Sequence, residues 1–97
     1  MGASRTPSGA SRTDALAAFA DEHASAPRSW SNGADDHYGW HSHDFHKILF
    51  CLSGSIVFHM RTGDLELAAG DRLDLDPRTE HAATVGPRGC ECVEASR

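Results

Sequence analysis

The chain has 97 residues and a formal net charge of −5, with nine cations against fourteen acidic residues. That length supports one hydrophobic core and not two, because division would leave neither part enough buried surface. The acidic balance and scattered arginines exclude a nucleic-acid partner, no apolar run reaches the length of a bilayer span, and so small a core is expected to pair as a homodimer.

Residues 1–28 are expected to form a disordered tail and a short helix, and residues 29–97 a β-barrel. The stretch Met1 to Thr6 fits the short myristoylation pattern and loosely matches a transit peptide, but no apolar segment follows it. A cytoplasmic location with a disordered leading tail is the expectation. Ser11 and Asp14 have the spacing of a capping box, which predicts a helix over Ser11–Ala24 with Leu16, Phe19, Ala20 and His23 on one face. Pro27 stops it.

From Trp30 onward the apolar residues alternate with period two. Strands are predicted at Ser29–Ser31, Gly39–His43, His46–Leu52, Ser55–Met60, Leu65–Ala68, Arg72–Leu75, His81–Val85 and Cys90–Glu94. Turns fit Asn32-Gly33, Ser53-Gly54, Thr62-Gly63-Asp64 and Ala69-Gly70-Asp71, each with a residue that tolerates turn geometry. The fold class is all-β with one leading α-helix.

His41-Ser-His43 carries the strongest chemical signal. Alternate residues of a strand project from one face, which brings two imidazoles together, and imidazole is the commonest metal ligand at neutral pH. Lys47 shares their odd parity. Later in the chain Gly70-Asp71 leads through Leu73, Leu75 and Pro77 to His81.

These two stretches, Gly39 to Gly54 and Gly70 to His81, resemble the first and second motifs of the cupin superfamily. The resemblance implies a double-stranded β-helix, a jelly-roll variant whose interior holds a divalent metal. Carried over by position, it implies His41, His43 and His81 as metal ligands. Lys47 stands where the first motif usually supplies a glutamate, so the ligand set is three nitrogens with an open position. Such a set suits zinc, iron, nickel, manganese or copper. A cationic ammonium is repelled by the ion, so Lys47 coordinates only as a neutral amine after burial has lowered its basicity; otherwise it is a candidate anchor for a small anionic ligand, a mouth lysine paired with an acid or a catalytic base.

His46 has the opposite parity and is expected to face away from the metal, while His23, His37 and His59 are read as surface or structural residues. Trp40, Phe45, Phe50 and Phe58 line a pocket or fill core. Glu80 is expected on the other face from His81, and Glu91 or Glu94 is a candidate to replace the missing carboxylate. Cys51, Cys90 and Cys92 are odd in number and read as small buried hydrophobes with reduced thiols. Three functions follow: a metal-dependent enzyme acting on a small anionic organic substrate, a non-enzymatic ligand-binding or sensor module with or without metal, or a dimerising barrel whose histidines hold a structural ion or none.

Overall fold

The computed structural model describes residues 2–97. In chain order it contains β1 (Ala3–Pro7), α1 (Arg12–Asp21), β2 (Arg28–Asn32), β3 (His37–His41), β4 (Lys47–Met60), β5 (Gly63–Ala68), β6 (Asp71–Leu75) and β7 (His81–Ser96). All strand pairings are antiparallel. The fold is the all-β double-stranded β-helix with one short helix.

Two long strands organise it. β4 runs beside β7 from Lys47 opposite Ser96 to Met60 opposite His81, with register shifts near residues 51–56. On its other edge, β4 pairs β6 through Lys47–Phe50 and β5 through Ser55–Met60. β7 pairs β2 near its C-terminal end and β3 near its start. The sheet is therefore two walls joined at the shifts. Leu49, Cys51, Leu73 and Cys92 from one wall share a single buried cluster with Ile56, Phe58, Leu67 and Val85 from the other, so the sheet closes over itself.

The predicted turn at Ser53-Gly54 and the predicted break between Val85 and Cys90 are not chain reversals. Each is a bend inside a continuous strand. Gly54 has φ +70 and Gly89 φ +75. A Cβ on Gly54 would stand 1.9 Å from the Gly89 carbonyl oxygen, so the two strands kink against each other at a place that has no room for a side chain. The predicted turns at Ala69-Gly70-Asp71 and Asn32-Gly33 do not reverse the chain either: β5 and β6 follow one another antiparallel along β4, and β2 and β3 do so along β7. The turn after β4 is a true reversal, with Arg61 and Thr62 as a two-residue hairpin loop between β4 and β5.

The leading segment differs from expectation. Residues 3–7, expected within a disordered tail, form β1 on the edge of β6, with Ala3 opposite Leu75 and Pro7 opposite Asp71. Backbone pairing holds this polar strand, and the Asp76 carboxylate accepts from the Gly2 N–H at 2.9 Å. The helix is shorter than predicted. Ser11 caps it in a full capping box with Asp14, and it ends at Asp21 with His23 in the left-handed region. Its buried stripe is Ala15 and Phe19, whereas Leu16 is 40% exposed. Phe19 meets the edge of Phe50 at 5.6 Å between ring centroids, and with Ile48, Val93 and Ala95 they form a second cluster on the outer face of one wall. No helix among the described residues is long and apolar enough to cross a membrane.

Candidate metal centre

Parity along β4 and β7 decides what faces the interior. Ile48, Phe50, Val93 and Ala95 point outward beneath the helix, which turns Lys47, Leu49 and Glu94 inward. The inner faces leave a cavity of about 290 Å³ at the open end of the two walls. One wall presents Arg28, Trp30, Lys47, Leu49 and Glu94, and the other presents Tyr38, His41, Ile56, Phe58, His81 and Ala83.

The three histidines named from sequence meet on the second wall. His41 ends β3 directly opposite His81 at the start of β7, so cross-strand pairing brings them together. His43 lies beyond the end of β3, not in the strand as predicted. Its carbonyl accepts the Arg78 N–H at 2.6 Å, which ties this loop to the one that precedes β7. Ring centroids are 4.9 Å apart for His41 and His43, 4.3 Å for His41 and His81, and 5.2 Å for His43 and His81. One ligand nitrogen from each lies within 4.8 Å of the others.

Hydrogen bonds set the tautomers. The His41 Nδ1–H donates to the Gly39 carbonyl at 2.8 Å, and the His81 Nδ1–H donates to the Thr79 carbonyl at 2.9 Å. A carbonyl only accepts, so both protons sit on Nδ1 and both Nε2 lone pairs remain for a metal. His43 Nε2 is buried without a hydrogen-bond partner among the described residues, a costly omission unless an ion or ligand satisfies it. Phe45 stacks on the His43 ring at 5.0 Å and fixes its plane. Burial, then the Lys47 charge, holds the His43 imidazolium pKa below its ordinary value, and burial does the same at His81. Neutral imidazoles are the metal-binding form. The tautomers of His41 and His81 and the depressed basicity of His43 and His81 therefore suit a divalent transition metal.

Lys47 lies on the facing wall. Its Nζ stands 3.2 Å from Glu94 Oε2, and the Trp30 indole N–H donates to Glu94 Oε1 at 2.7 Å. Glu94 is thus the inward carboxylate of β7, while Glu91 is exposed in an ion pair with Arg12. Arg28, directly opposite Glu94 on β2, was not singled out from sequence; only the register of β2 with β7 reveals it. His46 turns away from the cluster and bonds Asp74 at 2.9 Å. His59 bonds Asp64 and Thr84. Phe58 lines the cavity, Phe50 packs under the helix, and Trp40 lies outside beneath the Arg61 guanidinium at 3.8 Å. Glu80 pairs Arg61 on the surface. All three cysteines are buried and free, with Cys51 opposite Cys92 at the closed end of the walls.

Residues 29–92 match the family described as the AraC-like ligand binding domain. Among solved structures, a cupin-2 domain protein from Shewanella frigidimarina is similar at 18% identity over 73% of this chain and 69% of its own, with a TM-score of 0.63. A double-stranded β-helix protein from Klebsiella pneumoniae is similar at 22% identity over 72% and 64%, with a TM-score of 0.65. A chain from crystal structures of DMSP lyases is similar at 28% identity over 73% of this chain but 36% of its own, with a TM-score of 0.64. No curated protein matches the chain in sequence.

Proposed function

The chain belongs to the AraC-like ligand binding domain family and has the cupin fold, and from that premise we propose that it binds a divalent transition metal through His41, His43 and His81 and uses it to hold a small anionic organic molecule in the cavity. The observation that carries this reading is the partnerless, buried Nε2 of His43 beside two imidazoles whose tautomers are already fixed for ligation. An ion there would supply Lewis-acid polarisation of a ligand oxygen. The residues of the chain do the rest: Lys47 and Arg28 attract the anion, and Leu49, Ile56 and Phe58 exclude water from its carbon skeleton. The ligand donors are compatible with zinc, iron, nickel, manganese or copper.

Elemental analysis of protein purified without an affinity tag tests the reading. About one metal per chain is expected, falling to background in the His41→Ala/His43→Ala variant. A metal-free wild type that takes up no added zinc, nickel or manganese sinks it.

A metal-dependent enzyme is the second reading. It is favoured by the likeness to the chain from DMSP lyases and by the open coordination that three ligands leave. Turnover of a bound acid by the metal-loaded protein, absent from the double variant, separates it from a binding module. A homodimer remains part of the proposal on grounds of core size, and a cytoplasmic location on the three free thiols; sedimentation equilibrium reads the mass directly.

A further inference from the structure

The ionic residues that line the cavity are unevenly shared between its walls. His41 and His81 line one, with His43 against them, while Arg28, Lys47 and Glu94 stand on the other. Arg28 and Lys47 against Glu94 leave the lining with one net positive charge, and a divalent ion raises this to three, in a chain whose total is −5. Low-dielectric walls focus such a field on whatever enters.

The second wall is not self-neutralised. Both Glu94 oxygens have partners, Oε1 in Trp30 and Oε2 in Lys47. Lys47 has three N–H donors and gives one direction to Glu94. The Arg28 side chain lines the cavity with no ion pair or hydrogen bond among the described residues. Two cationic donors therefore face the histidines across a strip of Leu49, Ile56, Phe58 and Ala83.

We propose that the ligand is a four- or five-carbon dicarboxylic acid with a hydroxyl or oxo group next to one carboxylate. This inference rests on the metal reading above. The oxygenated end faces the three histidines, where carboxylate and neighbouring oxygen chelate the ion. The far carboxylate lies between Arg28 and Lys47. The methylenes cross the apolar strip. A dianion offsets two of the three charges, whereas a monoanion at the metal leaves Arg28 unpaired. The size permits it: a cavity of about 150 Å³ admits the six carbons of benzene, so 290 Å³ has room for the roughly nine or ten non-hydrogen atoms of such an acid.

The test uses the full chain loaded with zinc and calorimetric titration of three probes. L-malate has both ends, 2-hydroxybutyrate lacks the far carboxylate, and succinate lacks the chelating hydroxyl. Malate is expected to bind at least tenfold more tightly than either analogue. In Arg28→Gln, malate loses most of its advantage over 2-hydroxybutyrate, 2-hydroxybutyrate weakens far less than malate, and zinc content stays at one per chain. Arg28 is exposed on an edge strand, and an unaltered melting temperature shows that the variant folds. Equal affinity for malate and 2-hydroxybutyrate, no malate binding, or an Arg28→Gln variant that keeps the preference overturns the dicarboxylate while zinc remains bound. Zinc below stoichiometry in the wild type is a different result, which removes the metal reading and this inference with it.

Discussion

The Lys47 ammonium and the Glu94 carboxylate meet at 3.2 Å on the wall that faces the histidines, both side chains less than one-fifth exposed. The carboxylate missing from the first motif is thus matched by one on β7, but that carboxylate holds a cation. The pair makes the effect of Lys47→Glu predictable. A glutamate at position 47 replaces a charge that repels a cation from the cavity with one that attracts it, so zinc affinity is expected to rise at least tenfold in competition with a chelator. Without metal the same change leaves Glu94 without its cation and beside a like charge, which costs about 1–3 kcal/mol in urea unfolding. Added zinc restores the loss. A variant that gains stability without metal, or binds zinc no better, contradicts this account of the wall.

Acid should weaken the metal-free fold through the same histidines. The folded pKa values of His43 and His81 lie below the ordinary imidazole value, chiefly because burial penalises the charged ring. As pH falls below about 6.5 the unfolded chain takes up protons that the folded chain refuses. Their contribution to stability is therefore present above that value and is lost progressively as pH falls through the folded values. The melting temperature of metal-free protein should drop between pH 7.5 and pH 5.5, and that of the zinc-loaded protein should drop further, because protons also displace the ion. A metal-free melting temperature that stays level across this range opposes the assignment.

Much of this organisation is legible in the sequence because it rests on period and order. Alternation places Leu49 and Cys51 inward, and the two motif stretches bring His41, His43 and His81 to one site. What the sequence hides is decided by backbone and register. β1 is polar and joins β6 through main-chain bonds, so no apolar pattern announces it. Arg28 enters the cavity only because β2 pairs β7 with Arg28 opposite Glu94. The Ser53-Gly54 dipeptide reads locally as a turn, yet the partner strand bends with it and β4 continues. Ala15 displaces Leu16 from the buried helical stripe because the packed wall admits a small residue beneath Phe19.

That bend makes Gly54 intolerant of any side chain. Its φ of +70 is strained for an L-residue, and an added methyl would meet the Gly89 carbonyl oxygen at 1.9 Å. Gly54→Ala should lose more stability than removal of a buried methyl group costs, about 3 kcal/mol or more. Soluble yield and urea midpoint report it. Gly39→Ala, with nothing within 4 Å of the added carbon, is the control and should stay within about 0.5 kcal/mol of wild type.

Arg72 joins the helix to the barrel, and its planar fork explains why lysine should not replace it. Its two terminal nitrogens donate to the Glu22 carboxylate at 2.6 and 2.8 Å, while Nε and Nη2 reach Asp74 at 2.8 and 3.0 Å. Glu22 is the C-cap of α1, so this contact fixes the end of the helix over β6. The bonds from Arg72 hold the Glu22 carboxyl below its ordinary pKa. A lysine is a point charge and cannot serve both carboxylates with paired bonds. All the groups are partly solvated, which discounts the loss, and Arg72→Lys should cost about 1–2 kcal/mol in urea unfolding. Phe19→Ala, which empties the apolar contact under the same helix, should cost about 3–5 kcal/mol. Hydrogen exchange distinguishes the two. Arg72→Lys should speed exchange at the C-terminal turn of α1 and leave the β4 amides protected, whereas Phe19→Ala should expose the whole helix. Unchanged protection at residues 18–22 in Arg72→Lys means that the apolar stripe alone seats the helix.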